Sequence, residues 1–106
     1  MITDEQAEKA LDYIKDNAKA YAVAKSQSVQ LDHYRKIVRS KLFRDAAGTV
    51  AEREAWAECH HEYKAAVDAM TAAIEEEARL KWMLVAAQEQ LNVYRTMSAN
   101  ERKATS

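Results

Sequence analysis

Apolar side chains recur at intervals of four and three near the start of the chain, on Ala7, Leu11, Ile14, Ala18 and Tyr21. That spacing holds side chains on one stripe of an α-helix. Thr3 with Gln6 three residues on, and Asp4 and Glu5 between them, reads as a capping box with carboxylates at the positive end of a helix dipole, so the helix starts there. The stripe fades at "KSQSVQ", residues 25–30, and resumes on Leu31, Tyr34, Val38 and Leu42. A continuous helix with a stutter or soft kink at 25–30 is expected.

A second run places Tyr63, Val67, Met70 and Ile74 on one stripe, then Leu80, Leu84, Ala87, Leu91 and Tyr94 on a neighbouring one after a phase shift across "EEEARL". Between the two patterns stands "RDAAGTVAERE", in which Gly48 suits the left-handed position that ends a helix and Thr49 with Glu52 forms a second capping box. The expected organisation is one domain: helix one about 4–46, a turn about 47–49, helix two about 50–100 with no breaker inside it, and a polar tail 101–106. The predicted fold is all-α, a long antiparallel helical hairpin.

Residues 80–87, "LKWMLVAA", are apolar nearly all round the helix, a pattern expected only where several helices surround it. This predicts a homo-oligomer, most simply a dimer packed as a four-helix bundle, with Leu80, Leu84, Ala87, Leu91 and Tyr94 as the oligomer core.

Composition sharpens the class. One glycine and no proline in 106 residues leave too few turn residues for a β-rich or α/β chain. A formal charge of −1 supplies no whole-protein field toward nucleic acid or an acidic membrane, and it argues against an acidic mimic of DNA. A single cysteine forms no internal disulfide, the opening residues lack a cationic segment followed by an apolar one, and the longest apolar run is "WMLVAA". A cytoplasmic protein without membrane contact is the expectation.

Charge is uneven by segment. Residues 25–47 carry six basic and two acidic side chains, and Gly48–Leu80 carry three basic and eight acidic. The halves can neutralise one another across the turn. Alternatively Arg35, Lys36, Arg39, Lys41 and Arg44 form a phosphate-contacting patch for single-stranded nucleic acid, Arg35 and Arg39 sharing a helix face. Tyr34 and Phe43 fit the apolar stripe better than a stacking platform.

Candidate chemistry concentrates in "AECHHEY", residues 57–63. On one uninterrupted helix the adjacent His60 and His61 diverge by about 100°, Glu58 pairs with His61, and Cys59 pairs with Tyr63, so no set of three metal ligands forms. His33 lies on the other helix. Cys59 inside a helix has neither a base held beside it nor an oxyanion hole, and Glu75, Glu76 and Glu77 fan around the helix. Glycine-rich phosphate loops are ruled out by composition. No enzyme, cofactor, metal or small-molecule substrate is expected. Trp56 and Trp82 are candidate partner anchors, although Trp56 also reads as core near the turn.

The segments "SVQLDHYRKIVRSKLF" (28–43), "AEREAWAECHHEYKAAVDAM" (51–70) and "KWMLVAAQEQLNVYRTMSANERKA" (81–104) carry a resemblance through Tyr34, Arg35, Arg53, Glu54, Ala55, Tyr63, Leu84, Ala86, Ala87, Val93, Tyr94, Arg95, Asn100 and Arg102. The chain resembles a group of small helical proteins encoded by tailed bacteriophages of Gram-negative bacteria. It departs from their pattern with Tyr94, where the "VYRT" stretch otherwise carries tryptophan. The resemblance implies a host-cytoplasmic phage protein from a gene neighbourhood of recombination, single-strand annealing and single-stranded-DNA-binding proteins; it implies no catalytic residue. The expected role is an oligomeric, non-enzymatic adaptor that contacts a phage or host DNA-processing protein. The alternatives are direct nucleic-acid binding through 35–44 and inhibition of a host nuclease or defence complex.

Overall fold

Thr3 N–H donates to Gln6 Oε1 at 3.0 Å and Gln6 N–H donates to Thr3 Oγ1 at 3.1 Å, which satisfies two otherwise orphaned donors and starts the first helix. The computed structural model describes residues 1–105, and in it this helix is α1, Asp4–Asp45, followed by α2, Val50–Cys59, and α3, His61–Thr105. No strand occurs among the described residues, and the fold is all-α.

Two compact units divide the chain, one pairing Met1–Ala22 with the segment from Ala78 onward, the other formed by Val23–Glu77. In the first unit the helices run antiparallel: Asp4 meets Tyr94, while Ala10 and Tyr13 lie beside Met83 and Ala87. Its core is Ala7, Ala10, Ala87 and Leu91, with Ile2, Tyr13, Ile14 and Tyr94 packed around them. The apolar stripe on α1 is therefore phased on Ala10 and not on Leu11, which is exposed along with Ala18. Alanine on the contact face lets the helix axes come close together.

In the second unit the pairing is also antiparallel, Arg35 reaching Tyr63, Arg39 reaching Glu58, and Phe43 meeting Arg53. Val38, Leu42, Ala57 and Ala66 form its core, flanked by Phe43 and Tyr63. Gly48 turns the chain with φ +110°, in the left-handed region that side chains rarely enter. Thr49 caps α2 in extended backbone, its side chain accepting from Glu52 N–H at 3.2 Å. Arg53 ties the turn shut: Nε donates to the Phe43 carbonyl at 3.2 Å, and the guanidinium lies 4.4 Å from the centre of the Phe43 ring.

Two expectations about helix limits change, and the expected continuous helix across residues 25–30 is kept. Residues 25–30 do not interrupt α1: Ser28 is buried, and its Oγ donates to the Ala24 carbonyl at 3.2 Å, so the polar side chain is satisfied by its own helix. The expected single helix from residue 50 is broken at His60, whose φ −73° and ψ 140° are extended. That residue ends α2 and starts α3, because its Nδ1 accepts from Glu62 N–H at 3.1 Å and its carbonyl from Lys64 N–H at 3.1 Å. Finally, α3 continues through the expected polar tail as far as Thr105, whose Oγ1 donates to the Glu101 carbonyl; residue 106 lies outside the described residues.

Candidate interaction surface

The basic stretch of α1 separates into two groups. Arg35 donates to Asp32 Oδ1 at 2.9 Å and to the Tyr63 hydroxyl at 3.2 Å, and its Nε is buried without a partner of its own. The hydrogen bond from Arg35, followed by that from Lys36, holds the Asp32 carboxyl below its usual value, and the Asp32 bond raises Arg35 in turn. Arg39 directs both Nε and Nη2 at Glu58 Oε1, at 3.2 and 3.0 Å. Both arginines are thus committed to holding α1 against α2 and α3 of the second unit. Tyr63 and Glu58 are partners that reading Arg35 and Arg39 as a phosphate patch overlooks.

Lys36, Lys41 and Arg44 form the second group. Together with His33, Ile37 and Ser40 they line an open depression on the outer face of α1. Lys36 also reaches Asp32 at 3.3 Å and Arg44 reaches Asp45 at 3.6 Å, yet both side chains are largely in solvent. Within the stretch 35–44, the cations left for an anion are these three, since Arg35 and Arg39 are engaged by Asp32, Tyr63 and Glu58.

Near the break, Trp56 is 46% exposed and stands 5.0 Å, ring centre to ring centre, from His60. It is a surface side chain and not the core residue its place near the turn suggested. His60 stacks on His61 at 4.4 Å, because extended backbone at His60 removes the divergence that one uninterrupted helix would impose. His60, His61 and Glu62 consequently bring one ligand atom each within 4.8 Å of one another. Tautomer chemistry works against a metal there. A neutral imidazole that accepts at Nδ1 carries its proton on Nε2, so ligation through either nitrogen of His60 requires giving up the bond from Glu62 N–H. Cys59 is exposed at the last position of α2.

The five positions read as an oligomer core pack within the chain. Ala87, Leu91 and Tyr94 close over Ala7 and Ala10 of α1, Leu80 is buried and Leu84 half-buried. The opposite side of α3 remains open, with Trp82 66% exposed and Val85 and Val93 also exposed. Its signal in the sequence is the apolar character of residues 80–87 all round the helix; what sequence reasoning missed is which side the chain itself uses. Among the described residues no helix is long and apolar enough to cross a membrane. Compared with protein-family models, curated proteins and solved structures, the chain matches none.

Proposed function

We propose that this protein is a non-enzymatic helical adaptor that works through protein–protein contacts and assembles with its own kind. The observation that carries the reading is the balance of its apolar side chains. Ten apolar residues form the buried core among the described residues, and six of them are alanines; only Val38, Leu42, Leu80 and Leu91 are large. Thirteen large apolar residues are exposed, both tryptophans among them. Exposed apolar surface on that scale marks interaction sites, and tryptophans dominate binding energy where they are covered by a partner.

The DNA recombination or replication machinery as the adaptor's setting, a phage origin and a place in the host cytoplasm rest on the sequence resemblance alone. A second reading, direct contact with single-stranded nucleic acid, is supported by Lys36, Lys41 and Arg44 sharing the outer face of α1. Inhibition of a host nuclease is a variant of the adaptor reading with a different partner.

The two readings separate in one experiment with defined probes: co-elution of the purified chain with a phage single-strand annealing protein or a single-stranded-DNA-binding protein, beside anisotropy of a labelled single-stranded oligonucleotide. The adaptor reading expects co-elution with one of the proteins, weakened by Trp56→Ala. Absence of co-elution together with salt-sensitive oligonucleotide binding would transfer the function to the basic face.

A further inference from the structure

Trp82, Val85, Ala86, Glu89 and Val93 follow one another at steps of three, one, three and four, so they occupy one side of α3. This is the side turned away from Leu80, Ala87 and Leu91, which are buried in the chain's own core. We propose that this outer face of α3 is covered by the same face of a second copy, the two helices antiparallel about a two-fold axis near Ala86 and Glu89. The proposal rests on the self-assembly part of the reading above and assigns it a surface.

Accessible area favours a second copy. The chain exposes 7761 Å². A compact monomer of 12.0 kDa exposes about 6,000 Å². The excess, about 1,800 Å², exceeds the roughly 800 Å² that each partner contributes to a standard interface. Pairing through one face would therefore bring the chain closer to the exposure of an ordinary folded protein without exhausting its surface.

The face also suits itself better than it suits a charged ligand. It spans roughly 16 Å of helix with no lysine or arginine among its five positions, although the neighbouring Lys81 places its Nζ 5.8 Å from the centre of the Trp82 ring; its one charge, Glu89, is engaged by Asn92 of the same helix at 3.5 Å. An antiparallel partner brings the large Trp82 of each copy over the smaller Val93 of the other, with Ala86 leaving room at the centre. Such an arrangement is self-complementary, as a two-fold interface must be. The one repulsive element is the pair of Glu89 carboxylates, which flank the axis opposite the small Ala86 of the other copy, while a net charge of −1 on each copy adds little long-range repulsion.

Sedimentation equilibrium on the full chain tests the proposal across a concentration series. The expected result is a dimer of twice 12.0 kDa that Trp82→Glu weakens by about thirtyfold or more, as removal of an interface hot spot does. Trp82 is mostly exposed in the single chain, so the variant should keep its helical circular dichroism, and Val93→Glu provides an independent second lesion. In a Trp56→Phe background the remaining tryptophan emission should shift to the blue as concentration rises. A monomer throughout the series would overturn both the proposal and the self-assembly reading, leaving co-elution with a DNA-processing protein as a separate question. A dimer that neither Trp82→Glu nor Val93→Glu weakens would overturn this face alone.

Discussion

The phenol of Tyr94 donates to Asp4 Oδ1 at 2.5 Å, joining residues ninety positions apart. Asp4 stands in the first turn of α1, where a carboxylate already favours the positive end of the dipole. Tyr94 rests on the core of Ala7, Ala10, Ala87 and Leu91. One bond therefore links the start of the first helix to the late part of the third. It also raises the phenol above its ordinary value of 10.0, chiefly because the hydrogen bond to Asp4 is lost on ionisation and secondarily because a phenolate would face a carboxylate.

The sign of the resulting pH dependence follows from linkage. A phenol whose folded value lies above the unfolded one keeps its proton longer in the folded state, so its contribution to stability is complete below the unfolded value. That contribution is lost as pH rises through the raised folded value. Thermal unfolding from neutral pH upward should show a steeper alkaline decline for the natural chain than for Tyr94→Phe, the two curves converging at the alkaline end. Parallel curves would show that the Asp4 bond is not made in solution.

Among the described residues Ala57 is the one core residue with 0% exposure, enclosed with Val38, Leu42 and Ala66 where α1 meets α2 and α3. Close-packed interiors have no room for added methylenes without displaced rotamers or backbone. Ala57→Leu should cost about 1–3 kcal/mol in urea unfolding. A neutral or stabilising result would mean that the second unit packs more loosely than its alanine-lined contact requires.

Helix starts were legible because their chemistry is local: Thr3 with Gln6, and Thr49 with Glu52, sit three residues apart, and Gly48 marks the turn. The break at His60 was not legible, since no glycine or proline announces it and a histidine nitrogen takes the capping role usually held by serine, threonine or aspartate. The face of α1 was misphased because Leu11 outranks Ala10 in hydrophobicity while close helix approach selects the alanine. Arg35 and Arg39 looked alike in sequence to Lys41 and Arg44. Their partners Tyr63 and Glu58 lie 28 and 19 residues away, and only the antiparallel register brings them together.

Gly48 is the position least tolerant of a side chain. Its φ of +110° is strained for any L residue, and a Cβ built there would collide with the Glu52 carboxylate. Gly48→Ala should cost about 1–3 kcal/mol in unfolding free energy. The same substitution at an exposed site inside a helix would instead stabilise by several tenths of a kcal/mol or more. An unchanged midpoint would mean that residues 46–49 adopt a different turn.

The division of the basic stretch gives the nucleic-acid reading a discriminating test. Changing Lys36, Lys41 and Arg44 together to glutamine removes the outer cations, the exposed second partner of Asp32 among them, and leaves Arg35 on Asp32 and Tyr63 and Arg39 on Glu58. On that reading, the slope of log affinity against log salt for a single-stranded oligonucleotide should fall by about 2, since each phosphate contact contributes about 0.7. The melting temperature should hardly move. Replacing Arg35 and Arg39 by glutamine has the opposite signature, lower stability with the salt slope retained, because those side chains hold helices together and are already engaged by the carboxylates of Asp32 and Glu58. The Asp32 carboxyl sits below its ordinary value of 3.8, so its stabilising share is present above that value and is lost as pH falls through the folded one; the Arg35 variant should flatten this acid limb. If the outer triple variant binds with an unchanged slope, Lys36, Lys41 and Arg44 are only a solvated helix face.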